Sequence, residues 1–184
     1  MGLDIFDLVL GIEEAIGVPL PDEIIAGMTT PRQMIEYLHG ELPQSPSNSC
    51  LSQRSFYMLR RILGEKLGVG RELLRPATEI VPLFPEATAH SAWKDLGKEL
   101  DVCKWPKIRS RQNWFAQLFQ ASRPRTLGEA AKFLAGSAPR SLKPAGEGWS
   151  WREVRSVVEW QFDYHLGIRG YALDDRFVED IGLD

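Results

Sequence analysis

Residues 3–38 read LDIFDLVLGIEEAIGVPLPDEIIAGMTTPRQMIEYL, a stretch in which apolar patterns are separated by glycine and proline. Near its start, apolar side chains recur at intervals of three and four, at Ile5, Val9, Ile12 and Ile16. This spacing places them on one side of an α-helix. Gly17 and Pro19 end the pattern, because glycine terminates helices and proline cannot continue them. The stretch therefore predicts a helix over 3–16.

Helix signals recur along the chain, whereas the alternating pattern of strands does not. Proline followed by aspartate opens a short helix over 21–27. Three capping boxes, each a Ser or Thr followed three residues later by Gln or Glu, begin further helices at Thr30, Thr126 and Ser150. We expect the second of these helices to reach Leu134 and the third to end at Gly167. The pattern predicts an all-α protein.

Two more helices fill the centre of the chain. One ends at Gly68 and carries an apolar side formed by Phe56, Leu59, Leu63 and Leu67. The other is predicted over 86–101. Segments 43–50 and 137–148 are rich in Pro, Ser and Gly, so we interpret them as linkers.

Two parts of the sequence are repeated. Thr30–Leu38 resembles Thr126–Leu134 in its capping box and apolar spacing. The helix ending Leu67-Gly68-Val69 resembles the one ending Leu166-Gly167-Ile168. Repeats of this kind indicate two related units. The centre holds one complete unit, and the two ends of the chain hold fragments of another.

The net charge of −3 conceals an uneven distribution. Residues 1–42 hold eight acids and one base, and residues 149–184 hold eight acids and four bases. The middle, 43–148, holds nine acids and 17 bases. The ends therefore carry −7 and −4, and the centre carries +8.

The sequence offers little that supports catalysis. Cys50 and Cys103 match no metal or redox spacing, and the three histidines are scattered. No nucleophile and base stand at a recognisable spacing, and no glycine-rich phosphate loop is present in the sequence. We therefore expect a protein that is not an enzyme and that uses neither a metal nor a cofactor.

The location of the protein is predicted from its apolar segments. The start Met1-Gly2-Leu3-Asp4 lacks the basic region of a signal peptide. No apolar run is long enough to span a bilayer. We expect a cytoplasmic protein with no membrane partner.

Residues 3–38 resemble the second half of an acyl carrier protein. The likeness runs through 3–9, 12–23 and the threonine pair 29–30, which follow helix II, the loop and helix III of that family. The C-terminal 177–184, FVEDIGLD, looks like the loop that leads into the Asp-Ser-Leu motif of the family. The helix before it, 150–166, looks like helix I.

The resemblance implies two helical bundles of the carrier-protein type. One is assembled from the two ends of the chain, with helices II–IV from 1–42 and helix I from 149–184, as in a circular permutation. The other is central, at 51–136, and more diverged. The same pairing of ends could also form between two chains, so self-association is one of the partner hypotheses.

Carrier function in this family depends on a serine that takes phosphopantetheine. The resemblance assigns that position to Gly2, which has no side-chain oxygen to modify. The equivalent region of the central bundle is Pro85-Glu86-Ala87, also without serine. Both bundles are therefore expected to lack the cofactor attachment site.

Acidic residues near the N-terminus are the first candidate for partner binding. Asp4, Asp7 and Glu14 lie at spacings of three and seven, which place them on one side of the helix, opposite its apolar residues. A solvated helix surface is the ordinary interpretation of this pattern. The resemblance adds the alternative of docking, because carrier proteins present an acidic helix II to basic surfaces of enzymes.

Segment 104–125 is the second candidate. It holds six basic residues and no acid, interleaved with Trp105, Trp114, Phe115 and Phe119. Nucleic-acid binding is one interpretation, although the pI of 5.7 and the acidic ends oppose it. Docking on an acidic protein surface through Lys107, Arg109 and Arg111 is another, and an ordinary solvated loop is the third.

Together these observations favour a non-catalytic interaction or scaffold protein on the acyl-carrier-protein plan. Two alternatives stay open: a working carrier whose attachment serine lies elsewhere, and a basic-aromatic module that binds nucleic acid.

Overall fold

A computed structural model describes residues 3–46, 49–102, 104–108 and 123–183. These residues form seven α-helices: α1 Leu3–Ile16, α2 Asp22–Gly27, α3 Pro31–Gly40, α4 Leu51–Leu67, α5 Ala89–Glu99, α6 Leu127–Ser137 and α7 Trp151–Leu166. Two short 3-10 helices lie at Val81–Leu83 and Pro139–Leu142. Within the described ranges the only extended pairings are two isolated bridges, Gln44 with Trp149 and Glu79 with Thr126. The predicted all-α class is confirmed.

The ends of the helices follow the local sequence signals. All three predicted capping boxes form, with Thr30, Thr126 and Ser150 each accepting the backbone N–H three residues later. Gly68 and Gly167 end α4 and α7 in the left-handed conformation, with φ of 65° and 68°. Glycine adopts this conformation without the steric strain that a Cβ introduces.

The bounds of α5 and α6 differ from the prediction, and α5 also ends at Glu99 rather than at 101. α5 begins at Ala89 rather than at 86, because Pro85–Thr88 form a turn closed by a hydrogen bond from Thr88 N to Pro85 O (2.9 Å). α6 continues past Leu134 to Ser137, where three further residues are buried. In both cases tertiary packing and turn formation override the local helix signal.

The chain divides into two compact units: unit 1, Met1–Ser49 with Lys143–Asp184, and unit 2, Cys50–Leu142. The divisions fall within the two segments interpreted as linkers. From the sequence, unit 1 holds 17 acids and six bases, and unit 2 holds eight acids and 16 bases. Their net charges are therefore −11 and +8.

In unit 1, α7 packs against both α1 and α3. The core contains Leu8, Ile12 and Ile16 of α1 together with Val154, Val158 and Phe162 of α7. The predicted apolar side of α1 is only partly right, because Ile5 and Val9 are half-buried whereas Leu8 and Ala15 are fully buried. The helix is thus rotated toward Leu8, relative to the side that its spacing predicts.

The C-terminal segment of unit 1 is fixed to the start of α3. Arg32 N donates to Leu173 O, and Phe177 N donates to Thr29 O, both at 2.9 Å. The Arg32 guanidinium also makes two hydrogen bonds to the Asp174 carboxylate, at 2.5 and 2.9 Å. The two ends of the chain therefore contact each other within one molecule.

In unit 2, α4 packs against α6. Its core contains Leu59 and Leu63 of α4, Trp93 and Leu96 of α5, and Leu127 and Leu134 of α6. Trp105 lies 4.8 Å from Trp93, ring centroid to ring centroid, and its indole contacts Gly97 so closely that a Cβ there would clash. Val102, Trp105 and Ile108, which follow α5, therefore belong to or pack against this core.

Candidate functional site

The solvent-facing side of α1 combines apolar and acidic side chains. Phe6 and Leu10 lie one helical turn apart, and 59% and 41% of their surfaces are exposed. Asp7 and Glu14 are also exposed, and they lie two turns apart on the same side of the helix. We call Phe6, Asp7, Leu10 and Glu14 the α1 face.

The opposite side of α1 fixes the direction of this face. At Gly11 the helix approaches α7 so closely that an added Cβ would lie 2.7 Å from both Gln161 Oε1 and His165 Nε2. The Gln161 amide donates to Gly11 O at 3.0 Å across the same contact. Because these contacts and the buried Leu8 and Ile12 set the rotation of the helix, the α1 face points to solvent.

Neighbouring acids on α1 have different roles. Glu13 Oε1 accepts the backbone N–H of Leu20 at 2.6 Å, so this side chain holds the loop after the helix. Glu14, the next residue, is exposed. The backbone of Asp4 belongs to α1, but its side chain lies outside the described residues, so its predicted role stays a prediction.

Phe6 and Leu10 are not among the partner-binding residues predicted from the sequence. A signal for them was nevertheless present. They lie outside the apolar spacing of Ile5, Val9, Ile12 and Ile16, and they are separated by one turn on the acidic side of the helix. An apolar pair that falls outside the core pattern of an amphipathic helix is a candidate contact site.

The second predicted site, segment 104–125, is anchored at its start. Trp93 Nε1 donates to Pro106 O at 2.7 Å, and Ile108 is buried in the core of unit 2. Lys107 lies between them and is exposed. Arg109 and Arg111 lie outside the described residues, so the structure does not test their predicted role.

The last base of this segment has a partner within unit 2. Arg125 Nη2 lies 2.5 Å from Glu79 Oε1, and its backbone N–H donates to Glu129 Oε2 at 2.6 Å. The segment contains no acid of its own, but the fold supplies one. Arg125 is therefore not an uncompensated charge available to a partner.

A buried ion pair lies at the start of α7. The Glu153 carboxylate accepts Ser49 Oγ at 2.5 Å, Lys143 Nζ at 2.9 Å and Ser150 N at 3.0 Å. The Lys143 ammonium also lies 4.9 Å from the centre of the Trp149 ring. Burial alone would raise the pKa of Glu153, but the hydrogen bonds from Ser150, Ser49 and Lys143 together lower it.

The surroundings of Glu153 favour a structural role for this cluster. Every donor around Glu153 stabilises its charged form, and the side chain is fully buried. Tyr171, the other perturbed group in unit 1, has its pKa raised mainly by burial, which keeps the phenol protonated. Near neutral pH, Glu153 therefore stays charged and Tyr171 stays protonated. Groups that do not change protonation state near the working pH are poorly suited to acid-base chemistry.

Metal-ligand clusters and membrane-spanning helices are both absent from the part of the chain that the structure describes. No group of three or more His, Cys, Asp or Glu side chains there is arranged to hold a metal ion. None of the helices in those ranges is long and apolar enough to cross a membrane.

The chain matches no protein-family model, no curated protein and no solved structure. The resemblance to acyl carrier proteins therefore rests on the quoted motifs, and it enters the functional argument as a proposal.

Proposed function

We propose that this protein is a non-catalytic interaction module on the acyl-carrier-protein plan, which binds a protein partner through the α1 face. The observation that carries the proposal is the pairing of two exposed apolar side chains, Phe6 and Leu10, with the exposed acids Asp7 and Glu14 on one rigidly held helix.

The composition of the α1 face separates docking from simple solvation. A solvated helix surface is stabilised by polar and charged residues throughout, and scattered exposed apolar residues need no explanation. Here two apolar residues adjoin each other one turn apart and are flanked by acids. Burying each apolar side chain in a partner contributes about 1.5–3 kcal/mol.

The charges indicate the chemistry of the partner. Exposed ion pairs contribute only about 0–1 kcal/mol each, so the acids act mainly by orienting the complex and accelerating encounter. Unit 1 carries −11, a field that attracts basic surfaces. The partner is therefore a protein surface with an apolar depression and a basic rim.

Site-specific crosslinking tests this proposal. A photo-reactive amino acid replaces Leu10 in the whole chain, and the matched control places it at Val178, which is exposed in the same unit but outside the α1 face. We expect a defined protein to crosslink at position 10 and not at 178. This crosslink should be lost when Asp7 and Glu14 are replaced by Arg. Equal or absent crosslinking at both positions would contradict the proposal.

The absence of carrier chemistry has its own test. Gly2 and the Pro85-Glu86-Ala87 stretch lack the hydroxyl that the carrier reaction modifies. The whole chain is incubated with a broad-specificity phosphopantetheinyl transferase and coenzyme A, beside an authentic carrier protein, and its intact mass is measured. We expect an unchanged mass. A stoichiometric adduct would establish the working-carrier alternative instead.

A further inference from the structure

The solvent-facing side of α4 in unit 2 is basic and aromatic. Tyr57 is 48% exposed, and Gln53 Nε2 donates to its hydroxyl at 3.2 Å. The Arg60 guanidinium lies 4.8 Å from the centre of the Tyr57 ring and 5.5 Å from that of Phe56. Arg61 is exposed beside them. We call Tyr57, Arg60 and Arg61 the α4 face.

The core side of α4 fixes this face outward. Ser55, Leu59 and Leu63 are fully buried and lie at intervals of four, so they form the core side of the helix, and Tyr57 and Arg61 are exposed on the other side. The aromatic stacking also restrains Arg60, which limits the conformational entropy lost when a partner binds. The helix contains four bases and one acid, Glu65, which lies one turn beyond Arg61.

The α1 face and the α4 face are complementary in character. The first is apolar and acidic in a unit of net charge −11, and the second is aromatic and basic in a unit of net charge +8. Asp7 to Glu14 spans about 10 Å along one helix, and Tyr57 to Arg61 spans about 6 Å along the other. One face therefore presents an apolar pair beside two acids, and the other presents an aromatic ring beside two arginines.

We infer that the α4 face of one copy of this protein binds the α1 face of a second copy. The inference rests on the proposed function of α1 and names its partner. Phe6 and Leu10 of the second copy pack against Tyr57, while Asp7 and Glu14 approach Arg60 and Arg61. Because the two surfaces differ, a bound pair of copies still exposes one α1 face and one α4 face. Association therefore continues into a ring or an open chain of copies.

Sedimentation velocity of the whole chain measures this association. We expect the weight-average sedimentation coefficient to rise with protein concentration at low salt and to fall toward that of a monomer at high salt. D7R/E14R and R60E/R61E should each weaken association about tenfold or more, because each replaces attraction by repulsion. The matched controls D22R/E23R and R71E/K94E change equal charge at exposed positions of the same units and should have less than about a twofold effect.

Mixing the two docking variants gives the sharper readout. Each associates weakly alone, but the mixture pairs the native α4 face of D7R/E14R with the native α1 face of R60E/R61E. We expect the mixture to recover association. A mixture that sediments as two separate monomers, or controls as damaging as the docking variants, would overturn the inference. Circular dichroism checks that all four variants keep the native helix content.

Failure of this inference is distinguishable from failure of the proposed function. If the native chain stays monomeric at high concentration and low salt while position 10 crosslinks to a different protein, the second copy is excluded as partner and the role of α1 stands. If the chain associates but D7R/E14R has no effect, self-association uses other surfaces and this inference fails.

Discussion

Glu153 is a charged residue that is buried in unit 1 and paired with Lys143. Its carboxylate accepts hydrogen bonds from Ser49, Lys143 and the Ser150 backbone. Ser49 belongs to the N-terminal segment of unit 1, and the other two belong to its C-terminal segment. A buried ion pair is weak evidence of stability by itself, but removing one partner leaves the other charge buried and incompletely paired. The residue thus holds three segments of unit 1 together.

Replacing Glu153 by Gln should destabilise the protein by on the order of 3 kcal/mol, because Lys143 loses its buried counter-charge. The matched control is Glu129→Gln, which changes the same position of the capping box at the start of α6, where the side chain is exposed. The control should cost less than about 1 kcal/mol. Urea unfolding measures both, and equal effects would show that burial of Glu153 contributes nothing.

The lowered pKa of Glu153 predicts acid sensitivity. A carboxylate whose pKa is lower in the folded state contributes stability that is fully present above its unfolded pKa of about 4.3. That contribution is lost as the pH falls through the folded pKa. Urea midpoints of the native protein should therefore decrease below about pH 4.3 more steeply than those of Glu153→Gln. Parallel curves would contradict this prediction.

Gly11 makes the contact between α1 and α7 possible. Replacing it by Ala should displace the ends of the Gln161 and His165 side chains and disturb the Gln161 hydrogen bond to Gly11 O, which offsets the helix propensity that alanine adds. Gly40→Ala is the control, since a Cβ at the end of α3 meets nothing within 4 Å and alanine favours helix. Thermal unfolding should place Gly11→Ala below Gly40→Ala, and the reverse order would contradict this role of Gly11.

At the scale of the helices, the capping interactions are predictable from the sequence, whereas the tertiary contacts are not. The capping residues Thr30, Thr126 and Ser150 act on donors three residues away, so the sequence motif contains the whole interaction. The rotation of α1 toward Leu8 depends on its contact with α7, about 150 residues away. The structural role of Glu13 likewise depends on the loop after α1, which brings the Leu20 backbone N–H to the Glu13 carboxylate.

The candidate site was only partly predictable for the same reason. Asp7 and Glu14 were identified because acidic spacing is visible in the sequence. Phe6 and Leu10 looked like ordinary apolar residues of a helix until packing showed which side of α1 is buried. The buried Lys143–Glu153 pair was missed because its members lie in a linker and a capping box, each of which is explained without the other.

The attachment of the C-terminal segment to α3 should depend on packing more than on its ion pair. Arg32 and Asp174 side chains are 41% and 71% exposed, so Asp174→Asn should leave the urea midpoint close to that of the native protein. Phe177 stacks on Phe162 with ring centroids 6.0 Å apart, and Phe177→Ala should cost about 2 kcal/mol. Urea unfolding compares the two variants. A larger loss of stability in Asp174→Asn than in Phe177→Ala would show that the ion pair contributes more than the packing.

On the scale of the whole molecule, charge is divided between the units rather than spread over the surface. Unit 1 at −11 and unit 2 at +8 nearly cancel, so the net charge of −3 does not reveal what either surface attracts. Large fields of one sign accelerate encounters with oppositely charged proteins and oppose binding of like-charged polymers. This division is consistent with a protein that works by contact with other proteins.

The most direct test of a docking role for α1 is the affinity of the native chain and of Phe6→Ala/Leu10→Ala for the protein captured at position 10. Both side chains are exposed, so the double variant should keep the native unfolding midpoint. Its affinity should fall about 100-fold, because roughly 3 kcal/mol of apolar burial is lost. Val178→Ala, the exposed control in the same unit, should bind like the native chain. Native affinity in Phe6→Ala/Leu10→Ala would contradict the account.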